Sequence, residues 1–241
     1  MFSPLLLLAL ASAPSLAELQ ALEAAGDLEG ALGVADAVAV VHPTLEFARI
    51  EAGRLRLLLG RDKDRALHEL DVARTLAPEN PRAQLWWALG CVDQGNLREA
   101  RAGFERALDL REDLEEARGR LAGICAEAGD WPCALRHEQW LVSRPGAGPG
   151  AWLRLATAQE QSGALAEAEA TLRQLLARVP GHPVAKLRLA VLLDRVGRPA
   201  EAEALRAGTP HAHREMRALP ASGSPDGASS RHKAPLGKRR K

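Results

Sequence analysis

Arg120, Arg154 and Arg188 stand 34 residues apart, and one further interval back reaches Trp86. A guanidinium fork takes a carboxylate through two parallel hydrogen bonds. An aromatic side chain beside it supplies an apolar anchor. A ladder of this composition suits an acidic extended peptide or a free C-terminal carboxylate. The same residues also suit a solvated face of mixed charge, because Glu116, Glu127, Glu160 and Asp194 fall nearby in the sequence. Exposed pairs with those carboxylates would contribute roughly 0–1 kcal/mol each. Both readings stand at this level.

Other chemistry is sparse. Cys91, Cys125 and Cys133 are the three cysteines, and an odd count leaves at least one thiol free or paired between molecules. Cys125 and Cys133 bracket a helix turn, which makes them the candidate disulfide of an exported protein; buried thiols are the alternative. No CxxC and no His/Cys cluster with zinc-ligand spacing occurs, so no metal site and no cofactor are expected. No nucleophile elbow, phosphate loop, dinucleotide loop or zinc-protease motif is present. Between residues 18 and 208 the serines are Ser143 and Ser162, both in breaks between helical stretches, and His42, His68, His137 and His182 are scattered. The sequence therefore marks no catalytic residue and no small-molecule substrate, and the expectation is a protein that is not an enzyme.

The elements that must position the arginines follow from composition and period. Leu and Ala dominate, Tyr is absent and Phe occurs three times; unbranched side chains lose little rotamer freedom in a helix. Sliding the stretch "QGNLREARAGFERAL" forward by 34 residues carries Gly95 to Gly129, Gly163 and Gly197, and Ala100 to Ala134, Ala168 and Ala202. Trp87 maps to Leu121, Leu155 and Leu189, and Ala88 to Ala122, Ala156 and Ala190. Each unit is two apolar helical periods separated by a glycine, which ends the first helix in the left-handed conformation. Asn96 with Glu99 reads as a capping box for the second helix. Small residues let the paired helices approach, and Phe104 and Leu172 fill the seam. Upstream the period continues with a one-residue slip, through Ala66, Ala73 and Pro78 and then Gly26, Ala31 and Pro43.

These columns resemble the tetratricopeptide repeat family, through Trp87, Ala88, Gly95, Ala100, Phe104 and Ala107 of the unit 81–114. Units at 115–148 and 149–182 match nearly as well. The unit at 183–208 degrades after Ala202, and the units at 18–45 and 46–80 are atypical. In the latter, counting from Phe47 sets Gly53 and Arg54 where a large and a small apolar residue are expected. The resemblance implies an all-α fold, a right-handed superhelical solenoid of antiparallel helix pairs. It also implies that positions 2, 5, 6, 9, 12 and 13 of each unit line a concave groove, which places Trp86, Arg120, Arg154 and Arg188 there as ligand-groove residues. The Lys/Asn carboxylate clamp of some family members is absent: its positions hold Leu85 and Leu89, Gly119 and Gly123, Leu153 and Thr157.

The ends differ from the array. "MFSPLLLLALASAPSLA" reads as a secretory signal cut after Ala17, its apolar run being shorter than the about 20 residues a bilayer demands. A buried first helix in a cytoplasmic scaffold is the alternative. Residues 209–241 carry eight Lys and Arg against two Asp and Glu and are rich in Pro, Gly and Ser. They read as a disordered basic tail that contacts anionic lipid or nucleic acid, or that only solubilises the chain. The expected function is a non-catalytic scaffold or adaptor, exported to the periplasm or beyond and acting in envelope assembly. Its expected partner is another protein or an acidic peptide; polyanion binding through the tail is the alternative.

Overall fold

A computed structural model describes residues 15–207; the signal read over 1–17 lies outside them as far as residue 14, and so does the tail over 209–241. Among the described residues there are twelve helices and no strand. The chain divides into two compact units, Met1–Thr171 and Leu172–Lys241.

The first unit is built from successive helix pairs. They are α1 (Leu16–Ala24) with α2 (Leu28–Val41), α3 (Glu46–Leu59) with α4 (Lys63–Leu76), α5 (Pro81–Asp93) with α6 (Leu97–Leu110), and α7 (Glu115–Glu127) with α8 (Trp131–Ser143). Helix α9 (Pro149–Gln161) follows, then α10 (Leu165–Arg178), which crosses the division. Through α9, each helix packs on the one before it in sequence. The expected signal cleavage point after Ala17 falls in the first turn of α1, where Ser15 Oγ accepts from the Glu18 N–H.

One turn recurs between the helices of each pair. Its glycine takes φ of 65–82° at Gly26, Gly60, Gly95, Gly129, Gly163 and Gly197. The next N–H reaches back five residues, as from Asn96 to the Cys91 carbonyl at 2.8 Å, which satisfies the last carbonyls of the first helix. This corrects one sequence expectation. Asn96 occupies the N-cap of α6 but its side chain makes no cap hydrogen bond. The capping box needs the Asn96 N–H as the donor to Glu99, and the turn has already used it. Asp130 does cap α8, accepting from the Cys133 N–H at 3.2 Å.

The slip between early and late units lies at one turn. From the glycine to the first close-packed alanine of the second helix is five residues at Gly95–Ala100 but six at Gly60–Ala66. Asp62 absorbs the extra residue by taking φ 43°, the single non-glycine residue with positive φ among those described. Counting back from Gly60 therefore moves α3 by one. Gly53, not Arg54, joins the Ala88 column, and a Cβ on Gly53 would collide with Leu70 and lie 3.0 Å from the Ala66 carbonyl. Glu51 then falls in the column of Trp86, Arg120 and Arg154.

Small residues fill the seams, and few large ones are needed. Ala88, Ala100, Ala122, Ala134 and Ala156 are buried, and Phe104 is fully enclosed among Ala88, Cys91, Ala107 and Leu121. Burying a side chain of that size stabilises by about 1.5–3 kcal/mol. The second unit, taken alone, holds the end of α10 with α11 (Pro183–Arg195) and α12 (Pro199–Ala207). Leu172, Leu175, Leu189, Leu192, Leu193 and Ala202 are buried in it.

Candidate protein-binding face

The first helices of the pairs carry the candidate residues. Trp86 on α5 is half-buried against Ile50, Ala73 and Ala83. The Arg54 guanidinium lies over its ring at 5.8 Å, a cation–π contact. Arg54 in turn pairs with Glu23 of α1 and with Glu51 of its own helix, whose Oε2 accepts from its Nε at 2.6 Å. Glu51 is 1% exposed and also faces Arg82 of α5. Arg82 itself lies 5.5 Å from the Phe47 ring centre. Burial works against the charge on Arg54, but Glu23 and Glu51 outweigh it and hold the guanidinium more firmly protonated than usual. The chain's own ion pairs thus fill the α1–α3–α5 end of this face.

The arginines further along are held differently. Arg120 on α7 donates its Nε to Glu116 Oε1 at 2.7 Å, and Arg154 on α9 donates its Nε to Glu138 Oε1 at 2.7 Å. Their side chains remain 52% and 54% exposed. In both cases the bond is made by Nε, and the end edge of the guanidinium formed by the two Nη groups is a separate donor pair. Leu85 and Leu89 of α5 and Leu153 and Thr157 of α9 are half-buried on either side, and α7 presents Gly119 and Gly123 in the corresponding columns. Arg188 stands in the same column on α11 of the second unit, and Asp194 there pairs with Arg206.

Several participants lie outside the sequence expectation: Glu51, Arg54 and Arg82 at one end, and Glu138 under Arg154. The Gly60 anchor carries the signal for Glu51 and Arg54, and Arg82 stands at position 2 of the unit 81–114. Glu138 has its own signal, since it occupies the column that holds Leu70, Phe104 and Leu172 elsewhere. It is 3% exposed, burial pushes its carboxyl pKa up, and Arg154 only partly offsets that. His137 beside it is 6% exposed, and burial, with Arg118 and Arg136, pulls its pKa down to about 4.

The sulfurs of Cys125 on α7 and Cys133 on α8 are joined in a disulfide, and Cys91 is a buried free thiol in the same apolar cluster. Burial raises the Cys91 pKa to about 11. One group of three metal-ligating side chains occurs among the described residues, Cys125, Asp130 and Cys133, and its two sulfurs are bonded to each other. No helix among the described residues is long and apolar enough to cross a membrane.

Comparison with known proteins fits this geometry. Residues 161–219 match the tetratricopeptide repeat family. No curated protein matches the chain. Solved tetratricopeptide-repeat structures superpose over most of it. YrrB, described as a tetratricopeptide-repeat protein with an unusual peptide-binding site, gives a TM-score of 0.67 at 18% identity over 76% of this chain and 96% of its own. The C-terminal part of a tetratricopeptide-repeat protein from Cytophaga hutchinsonii gives 0.67 at 13% identity, covering 79% and 76%. MamA from Desulfovibrio magneticus gives 0.61 at 16%, covering 71% and 96%. At these identities the likeness establishes the fold: the chain is folded as a tetratricopeptide-repeat array of helix pairs.

Proposed function

We propose that the protein is a non-catalytic scaffold whose first-helix face binds an extended, acidic segment of another protein. The observation that carries this reading is the pair Arg120 and Arg154. Each is half-exposed and fixed through Nε, with its Nη edge available for a carboxylate. Leu85 and Leu89, half-buried in the flanking columns of α5, add apolar surface, and Trp86 would join them where a partner displaces Arg54 from its ring. We further propose export, with the protein acting in assembly at the cell envelope. The Cys125–Cys133 disulfide supports that compartment, because structural disulfides persist where the surroundings are oxidising.

A pull-down with the full chain tests the binding reading. Replacing Arg120, Arg154 and Arg188 by Glu should deplete the captured partners. An unchanged partner set would reduce the arginines to a solvated face. For export, the mature N-terminus is mapped by mass spectrometry; an intact Met1 in a cytosolic fraction would sink that part.

A further inference from the structure

A cavity of the first unit lies away from the columns that carry Arg120 and Arg154. Its volume is about 340 Å³, and it is lined by Asp64, Leu67, His68 and Asp71 of α4 together with Trp87 and Gln94. That is the small end of the range for ligand sites and suits a single side chain. The tryptophan departs from the repeat, whose column otherwise holds Leu121, Leu155 and Leu189. A matching departure makes room for it. Gly103 of α6 stands where His137 and Thr171 follow at 34-residue steps, and a Cβ on Gly103 would lie 2.9 Å from Trp87 Cε3. An interior glycine weakens a helix relative to alanine, so α6 gives up stability to seat the indole.

The charges around the cavity point to a cation. Asp64, His68 and Asp71 are spaced i, i+4 and i+7 and so share one face of α4. The Trp87 ring already takes one cation of the chain itself, since the Arg74 guanidinium lies 4.1 Å from its centre. Asp71 holds that guanidinium, its Oδ1 accepting from Arg74 Nε at 2.8 Å. Gln94 Nε2 donates to Asp64 Oδ1 at 2.9 Å. Lys63, next to Asp64 in the chain, is paired with Asp93 at 3.0 Å. Two carboxylates therefore meet one guanidinium, and one negative charge is left over. Oδ2 of Asp64 and Oδ2 of Asp71 accept no hydrogen bond from the described residues.

We infer that this cavity receives a primary ammonium, presented by a lysine side chain of a partner protein. The carboxylates select lysine over arginine. A guanidinium fork needs both oxygens of one carboxylate, and here each aspartate has one oxygen engaged and one to offer. An ammonium is a compact charge with three rotatable donors. Those three match one oxygen of each aspartate and a ring nitrogen of His68, while the methylene stem packs on Leu67 and Trp87. The site is opposite in sign to the arginine face and does not rest on the acidic-segment reading.

The test is an NMR titration of the full chain with N-acetyl-lysine methylamide, compared with the capped arginine and norleucine counterparts and with n-butylammonium. The Trp87 indole N–H resonance, identified by its loss in Trp87→Leu, should shift saturably with capped lysine. Capped arginine should bind several-fold more weakly, and capped norleucine should not bind. Asp64→Asn, at an exposed position, should weaken lysine binding several-fold without moving the thermal midpoint, and Asp64→Asn with Asp71→Asn should weaken it at least tenfold. Arg120→Glu with Arg154→Glu should leave lysine binding intact, which separates this site from the arginine face. No saturable shift with capped lysine, equal binding of norleucine, or wild-type affinity in the double Asn variant overturns the site. Arginine binding as tight as lysine overturns the single-oxygen argument, and butylammonium binding more tightly than capped lysine overturns the protein source in favour of a free amine.

Discussion

Glu138→Leu should make this protein more stable. The substitution restores an apolar residue to the column of Leu70, Phe104 and Leu172, at a site 3% exposed. Burying a leucine there contributes about 1.5–3 kcal/mol. Against this stands the loss of the Arg154 hydrogen bond. A bond to a charged group contributes about 1.5–3 kcal/mol, but Arg154 is 54% exposed, and solvent screening reduces that to about 1 kcal/mol. Arg154 is left facing water, so no buried charge is orphaned. The net expectation is a gain of about 0.5–2 kcal/mol, or roughly 1–8 °C in thermal midpoint for a chain of this size. The pH dependence gives an independent check. The folded-state pKa of Glu138 is raised above its ordinary value. The charged form therefore costs stability at neutral pH, and that cost is relieved as pH falls through the raised pKa toward the ordinary carboxylate value. The difference between wild type and Glu138→Leu, measured by urea denaturation at pH 7.5 and again near pH 5, should shrink at the lower pH. A variant less stable than wild type by 1 kcal/mol or more would refute the reasoning, and would show the ion pair to be a net structural asset.

Other expectations follow from the same structure. His137 has a folded pKa of about 4, below its unfolded value near 6.5. Its contribution is thus fully present above pH 6.5 and is lost as pH falls toward 4, amounting to about 3 kcal/mol; His137→Leu should remove that slope from the pH–stability curve. Gly53→Ala should destabilise by about 1–3 kcal/mol through the clash with Leu70. Gly123→Ala, facing open space, should stabilise by roughly 0.5–1 kcal/mol, and opposite signs in paired thermal melts check both. Reducing the Cys125–Cys133 bond, which closes a loop with a sequence separation of 8, should lower stability by about 2–3 kcal/mol, read as a drop in the urea midpoint with reductant. Cys91 should stay unlabelled by iodoacetamide in the native protein, being buried with a pKa raised to about 11.

The helix pairs are legible in the sequence because their determinants are local. A glycine that must take positive φ, an alanine that must sit in a seam and a period of 34 can all be read along one strand of text. The candidate site is legible only in part. Arg120 and Arg154 are visible as a column, but their partners are not equally so. Glu116 is one helical turn from Arg120, while Glu138 is on a different helix from Arg154, and no periodic rule connects them. Glu51 and Arg54 are hidden by a counting error, whereas Arg82 stands at a groove position of the unit 81–114 and needs no such correction. An anchor at Phe47 reads through the extra residue near Asp62, whereas an anchor at Gly60 does not. Asn96 illustrates a further limit: the reciprocal half of a capping box, from Glu99 back to Asn96, yields to a turn that has already used the backbone donor.

The left-handed Asp62 has a consequence for how such a chain tolerates change. An insertion inside a helix would rotate everything beyond it by about 100° and turn buried faces outward. Here the additional residue is discharged within the loop, and Ala66, Leu70 and Ala73 return to the interior as though nothing had been added. The turns act as phase correctors, so each helix pair keeps its own count. A repeat protein built this way can vary in length at its turns without redrawing its interfaces.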